Sequence, residues 1–262
     1  MDLNLSGKVA VVTGASKGIG LAITRSLVAE GVSVAAGARD GSDELSELAS
    51  RSAVHPVLVD LTTPDGPTRL VEEAVRTFGG LDILVNNVGA VRPRLEGFLA
   101  LTDEDWDWAL TINFLAAVRT TRAALPHLLN RAPATIVTVS SVNAFLPDPA
   151  VIDYSAAKGA LTNFCKSLSK EFGPRGVRVN TISPGPVETN LWLGDDGVAA
   201  TVARAQGGHP EQVAKRAVAD TSTGRFTHPQ EVADLVLLLA SDRAGNVTGT
   251  DVLIDGGLVK TL

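Results

Sequence analysis

Cysteine, tyrosine and methionine occur once each in the 262-residue chain, and aromatic residues make up 4% of it. With Cys165 alone no intrachain disulfide forms, which suits a reducing compartment. The four histidines, at 55, 127, 209 and 228, share no ligand spacing, and Asp195-Asp196 stands without partners. No metal ligands are assigned, and metal-dependent chemistry is not expected. Positive charge is also short: 23 Lys and Arg against 29 Asp and Glu leave a formal net charge of −6. Nucleic-acid binding requires a basic stripe, and there is none. Acidity of this size mainly favours solubility. The apolar run Leu235–Ala240 falls far below the ~20 residues that span a bilayer. The start, MDLNLSGKVAVV, has an early acid and lacks the apolar stretch and cleavage site of a secretory signal. These absences predict a soluble cytoplasmic protein that binds neither nucleic acid nor membrane.

Apolar material, in contrast, is ample: 45% of residues, with a mean hydropathy of +0.18. That is enough for one large core. Runs at Val9–Thr13, Val32–Ala38, Val54–Val59, Leu81–Val85, Thr135–Ser140, Val177–Ile182 and Asp251–Ile254 predict strands. Their nearly continuous apolar character suits parallel strands covered on both faces. Helices are predicted near 18–30, 42–50, 66–78, 103–130, 150–173 and 229–241. Thr102 before Asp103-Glu104-Asp105 marks one helix start, and Thr63-Pro64, with proline just inside the helix, marks another. The alternation predicts an α/β chain: a single-domain, doubly wound Rossmann fold over 1–262, with a seven-stranded parallel sheet flanked by helices. The irregular, glycine-containing stretch 186–228 follows a strand's carboxyl end and is expected to form a substrate-binding lid.

The first strand runs into Gly14-Ala15-Ser16-Lys17-Gly18-Ile19-Gly20 and then a helix. Gly14 allows a tight turn, Gly18 lets backbone approach a pyrophosphate, and Gly20 permits close helix–strand packing. The helix N-terminus offers free N–H groups to phosphate. An ordinary glycine-rich turn is the alternative for this loop alone. Further on, Tyr154 has Lys158 at i+4, on one face of a predicted helix. A free phenol titrates near 10, and a close ammonium favours the phenolate. Bringing it near neutrality takes about 4 kcal/mol. Ser141, at a strand's carboxyl end, is placed to hydrogen-bond a substrate oxygen beside Tyr154, whereas Ser140 points to the opposite face. Asn113 sits inside the predicted 103–130 helix, where asparagine is a mediocre helix former.

TGASKGIG at 13–20, NNVG at 86–89, Asn113, Ser141, Tyr154-x-x-x-Lys158 and PGPVET at 184–189 occur in that order. In this the chain resembles the classical short-chain dehydrogenase/reductase family, and its 3-oxoacyl-acyl-carrier-protein-reductase-like members in particular. The resemblance covers about residues 6–258, with Val88 replacing a commoner alanine. It implies a nicotinamide-dependent oxidoreductase acting on a carbonyl or secondary alcohol, with Asn113, Ser141, Tyr154 and Lys158 catalytic. Asn113 would hold a water in a proton relay. Cofactor contacts are implied at Gly14, Ser16, Lys17, Gly18, Ile19 and Gly20, and at Tyr154 and Lys158. Asp60 and Leu61 would recognise adenine, Asn87 and Gly89 would lie near the ribose, and Asn86 would help hold that loop. Pro184, Gly185, Val187 and Thr189 would hold the carboxamide. A homotetramer, or less often a homodimer, is implied.

The cofactor choice depends on the end of the second strand. An NAD enzyme usually places a carboxylate there, and in this chain the position falls on Ala38, followed by Arg39. With Lys17, Arg39 offers cations to a 2′-phosphate, so NADP(H) is expected, with NAD(H) use possible. A strand ending two residues later would make Asp40 the ribose acceptor. Asn143, Phe145 and Trp192 are candidate substrate walls. Arg92 and Arg94 are expected to be solvated surface residues, the alternative being contact with an acidic ligand. Cys165 is read as a buried structural thiol. An NAD-dependent alcohol dehydrogenase and a non-catalytic nucleotide-binding module are the competing functions.

Overall fold

A computed structural model describes residues 2–261. The chain alternates strand and helix: β1 Val9–Thr13, α1 Gly18–Ala29, β2 Ser33–Ala38, α2 Asp43–Ser50, β3 Val54–Leu58, α3 Gly66–Phe78 and β4 Ile83–Asn86. The second half continues with α4 Asp103–Leu110, α5 Ala116–Asn130, β5 Ala134–Val139, α6 Ile152–Phe172 and β6 Val177–Pro184. Three short helices follow, α7 Asn190–Leu193, α8 Val198–Gln206 and α9 Pro210–Ala217, before α10 Pro229–Ala240 and β7 Asp251–Ile254.

The seven strands form one parallel sheet in the order β3-β2-β1-β4-β5-β6-β7. Apolar side chains leave both faces of the central strands, so the sheet needs helices on both sides. Ala10, Val12, Val34, Ile83 and Val137 pack with α1 and α10 on one face. Val11, Ala35, Leu84, Ile136 and Val179 pack with α3, α5 and α6 on the other. Strand order reverses between β1 and β4, and there the carboxyl ends open the crevice where ligands bind in such folds.

The predicted elements stand, with three corrections. First, α3 begins at Gly66 with Pro67 in its first turn, and Pro64 lies in the preceding turn, where Thr63 Oγ1 accepts the Gly66 N–H. Second, the predicted 103–130 helix is interrupted by a π turn at Thr111–Leu115. Third, 186–228 is not irregular throughout, since α7, α8 and α9 lie within it. The ends of this excursion are held together: Val187 bridges Thr227 in parallel, and Glu188 Oε2 meets His228 Nδ1 at 2.7 Å. No described helix is long and apolar enough to cross a membrane. Among the described residues no group of three or more His, Cys, Asp or Glu could hold a metal ion.

Candidate active site

The glycine loop occupies the switch point between β1 and β4. Gly14 and Gly18 have φ of +67° and +54°, the left-handed region that glycine enters without penalty. A Cβ on Gly20 would lie 2.1 Å from the Gly14 carbonyl oxygen, so the first turn of α1 closes against β1 only with glycine there. A Cβ on Gly18 would meet the Thr189 methyl at 3.3 Å, which brings the start of the 186–228 segment over the loop. Thr189 stands at the N-cap of α7 without capping it by its side chain. Bare backbone at a helix N-terminus, roofed by a side chain with a spare hydroxyl, fits the phosphates and carboxamide of a nicotinamide nucleotide.

The strand after the switch point is held by residues that pattern reading assigned differently. Thr13 Oγ1 accepts the N–H groups of Asn87 and Val88 at 2.8 and 3.0 Å. Asn87 Nδ2 donates to the carbonyls of Thr13 and Gly14 at 2.8 and 3.2 Å. Asn86, expected to steady the loop, instead points into the core, donating to Thr121 Oγ1 on α5 at 3.0 Å. Thr13 was the missed residue. Its signal was a hydroxyl on the last strand position before Gly14, facing the neighbouring strand end.

On the other side of β1, β2 stops at Ala38, in register with Leu58 of β3. Arg39 and Asp40 lie beyond it, paired at 3.0 Å and both largely exposed. Asp60 Oδ1 accepts from the Thr62 backbone N–H and hydroxyl at 2.9 and 2.7 Å. These bonds hold its carboxyl below the ordinary range, with burial opposing and the nearby Arg39 charge adding to them. Asp60 therefore closes a turn, and Leu61 behind it is buried. Lys17 is exposed, Ser16 and Ile19 are half-buried, and the Ser16 carbonyl accepts from the Ser42 hydroxyl that caps α2.

Four residues converge on the β4, β5 and α6 side. Ser141 is buried at the end of β5, where its Oγ accepts the Asn143 N–H at 3.2 Å and donates to Asn143 Oδ1 at 3.1 Å. Its neighbour Ser140 points away and bonds the Thr162 hydroxyl at 2.7 Å, as alternation along a strand requires. Tyr154 and Lys158 share one face of α6, with Lys158 Nζ 5.6 Å from the centre of the Tyr154 ring. Burial pushes the Tyr154 phenol above its ordinary pKa, and a hydrogen bond with Ser141 partly offsets it. Burial pulls Lys158 down to about 8, although Nζ donates to the Val139 carbonyl at 3.0 Å. The depressed phenol pKa expected from the lysine is thus not the state of the protein by itself. Desolvation is the larger effect, and the phenol keeps its proton at neutral pH.

Asn113 is buried in the π turn, where its amide is spent on structure. Nδ2 donates to the Ala90 and Ala109 carbonyls at 2.9 and 3.0 Å, and Oδ1 accepts the Ala90 N–H at 3.0 Å. A Cβ on Gly89 would come within 3.0 Å of Asn113 Oδ1 and 3.5 Å of Lys158 Nζ, so a bare backbone passes between these two side chains. Pro184 and Val187 are buried at the end of β6, and the Gly185 N–H donates to the Ile254 carbonyl of β7.

The candidate substrate walls fare unevenly. Asn143 serves Ser141, and its Nδ2 also reaches Ser155 Oγ at 3.4 Å. Phe145 is exposed and lines a cavity of about 290 Å³ with Gly159, Thr162 and Asp251, on a different face of α6 from Tyr154. Trp192 packs edge-on against Phe226 at 5.9 Å within the 186–228 segment. Arg94 is not a solvated surface residue: it is half-buried and paired with Asp105 and Asp153. Arg92 is exposed and stacks over Trp108 at 3.8 Å. Cys165 is buried, and its thiol is pushed up to about 11, which leaves it inert.

Lys158 carries a stability cost that has a definite pH window. Its value falls from 10.5 to about 8 on folding, so the penalty is complete below about 8 and vanishes as pH rises towards 10.5. The shift corresponds to about 3 kcal/mol, against about 1 kcal/mol for the lost bond to Val139. Lys158→Met should therefore melt above the wild type at pH 7, with the gap narrowing by pH 10. A lower melting temperature at pH 7 would contradict this.

Residues 14–259 match the family model described as Enoyl-(Acyl carrier protein) reductase. The 3-oxoacyl-acyl-carrier-protein reductase FabG of Thermotoga maritima is 34% identical over 98% of this chain and 100% of its own. The Escherichia coli protein of the same name is 32% identical over 98% and 99%. Among solved structures, L-sorbose reductase from Gluconobacter frateurii, complexed with NADPH and L-sorbose, superposes with a TM-score of 0.91 at 35% identity over the whole of both chains. A family model over nearly the whole chain and full-length relatives above 30% identity place the chain in the short-chain dehydrogenase/reductase family of NAD(P)-dependent oxidoreductases.

Proposed function

We propose that this chain is an NADP(H)-dependent ketoreductase, reducing a carbonyl to a secondary alcohol with Tyr154 as proton donor. The observation that carries the reading is Tyr154 with its proton retained by burial, in hydrogen-bonding reach of Ser141, one helical turn from a buried Lys158. When bound, the nicotinamide supplies the hydride. Ser141 Oγ–H donates to the substrate oxygen and orients it. Tyr154 Oη gives its proton to that oxygen as negative charge develops there. Lys158 Nζ, charged below about 8, stabilises the phenolate left behind. Asn113 fixes the Gly89–Ala90 backbone beside Lys158. Gly14, Gly18 and the start of α1 would cradle the phosphates, with Lys17 and Arg39 near the adenosine ribose. Thr189 and the backbone of Pro184–Val187 would hold the carboxamide.

The 186–228 segment is proposed as a lid over the substrate, with Trp192 among its walls; the stitched ends at Val187 and Thr227 leave its middle able to move as a unit. The relatives named above, one a 3-oxoacyl reductase and one a sugar reductase, bracket the substrate as a carbonyl compound without selecting one. Consumption of NADPH against free ketoses, cyclic ketones and 3-oxoacyl thioesters tests the reading. Turnover of at least one is expected. Tight NADPH binding with no turnover of any would favour a nucleotide-binding module.

A homotetramer, or a homodimer, is part of the proposal. β7 ends the sheet with an open edge, and Leu253 on it is 43% exposed. Sedimentation at micromolar concentration should show an assembly larger than a monomer; a clean monomer would contradict it.

A further inference from the structure

The loop between β4 and α4 carries an arginine that the chemistry above leaves unused. The Arg94 side chain is 11% exposed. Its Nε and Nη2 donate to Asp153 Oδ2 at 3.0 and 2.5 Å, and Nη1 donates to Asp105 Oδ1 at 2.7 Å. The Arg94 backbone N–H donates to the Ala150 carbonyl at 2.6 Å, so the main chain grips the turn before α6 and the side chain grips the helix's first turn.

Asp153 is buried and directly precedes Tyr154, whose backbone N–H donates to its Oδ1 at 2.9 Å. The helix has Val151 at its N-cap and no capping side chain, which makes Asp153 the acceptor that serves its first turn. Asp105 meanwhile closes the capping box of α4 with Thr102, and α4 runs straight into the π turn that holds Asn113. One guanidinium therefore joins the segment leaving Gly89, the start of α4 and the start of α6.

We infer that Arg94 and Asp153 are positioning residues: their ion pair sets the first turn of α6, and so sets where the Tyr154 hydroxyl meets Ser141. This rests on the reading of Tyr154 as the proton donor. The deep anchors of α6, Leu161, Cys165 and Leu168, all come later in the helix. In its first turn Ser155 Oγ accepts long bonds from the Asp148 N–H and Asn143 Nδ2, both at 3.4 Å, and the Arg94 pair holds the residue directly beside Tyr154. Misplacing a reacting group by about 1 Å can cost on the order of 100-fold in rate, whereas cofactor binding depends mainly on the glycine loop.

The test measures kcat, the KM for NADPH and the melting temperature with one carbonyl substrate that the wild type reduces. Arg94→Met leaves a buried carboxylate unpaired and should lose both stability and at least about tenfold in kcat. Arg94→Met with Asp153→Asn removes both charges. It should recover the melting temperature while kcat stays down about tenfold or more, with the NADPH KM within about threefold of wild type. Arg94→Lys keeps the charge but has one nitrogen for three contacts, and should restore only part of kcat. A double variant with wild-type kcat would overturn the inference, because the pair would then serve stability alone. Tyr154→Phe is run beside them. If it retains wild-type turnover, the proton-donor reading fails; if it is inactive while the double variant is fully active, only the positioning inference fails.

Discussion

Tyr154→Phe should lower kcat at least about 100-fold while NADPH still binds within a few-fold of wild type. The substitution keeps the ring that packs beside Lys158 and removes only the hydroxyl. Ser141 remains in place, because its Oγ is held by the Asn143 backbone and side chain. What is lost is the proton that must reach the substrate oxygen as hydride reaches its carbon. General acid–base catalysis by a positioned side chain contributes typically 10²–10⁴-fold, and no other described side chain here combines a retained proton with contact to Ser141. Steady-state turnover and cofactor titration check this. Retention of more than about a tenth of wild-type kcat would place the acid elsewhere.

The second large effect concerns the cofactor. NADPH should exceed NADH in kcat/KM by roughly ten- to a thousandfold, from charge-assisted contacts of about 1.5–3 kcal/mol each, less desolvation. The strand end decides the direction: β2 stops at Ala38, whose side chain accepts no hydrogen bond, and Asp40 lies two positions past it. In the protein alone Arg39 is paired with Asp40, but both are largely exposed, and such pairs are worth little. A 2′-phosphate should therefore draw Arg39 away at small cost. Arg39→Ala should lower kcat/KM for NADPH and leave that for NADH nearly unchanged. Equal or better use of NADH by the wild type would mean that Asp40 reaches the ribose despite its place beyond the strand.

Sequence alone reached the sheet and most of the site because those signals are local. The glycine loop, the i+4 spacing of Tyr154 and Lys158, and the alternation that separates Ser141 from Ser140 are each contained within a few residues. What escaped depends on partners distant in the chain. Arg94 looks like a surface residue until its partners, 11 and 59 positions away, come into contact with it. Asn86 and Asn87 are neighbours in a single motif, and only the placement of Thr13 and Thr121 tells which holds the loop. The π turn at Asn113 leaves no trace in apolar periodicity, since the flanking helices continue the same pattern. Thr63-Pro64 reads as a helix start, but the Thr63 hydroxyl accepts the Gly66 N–H and the helix begins there.

The most direct test of the account is a single turnover with NADPH deuterated on the transferring face of its nicotinamide. The wild type should deliver the deuterium to the carbinol carbon of the product alcohol, and Tyr154→Phe should make the same labelled product at least about 100-fold more slowly. An unlabelled product, or a labelled one formed equally fast by both proteins, would contradict it.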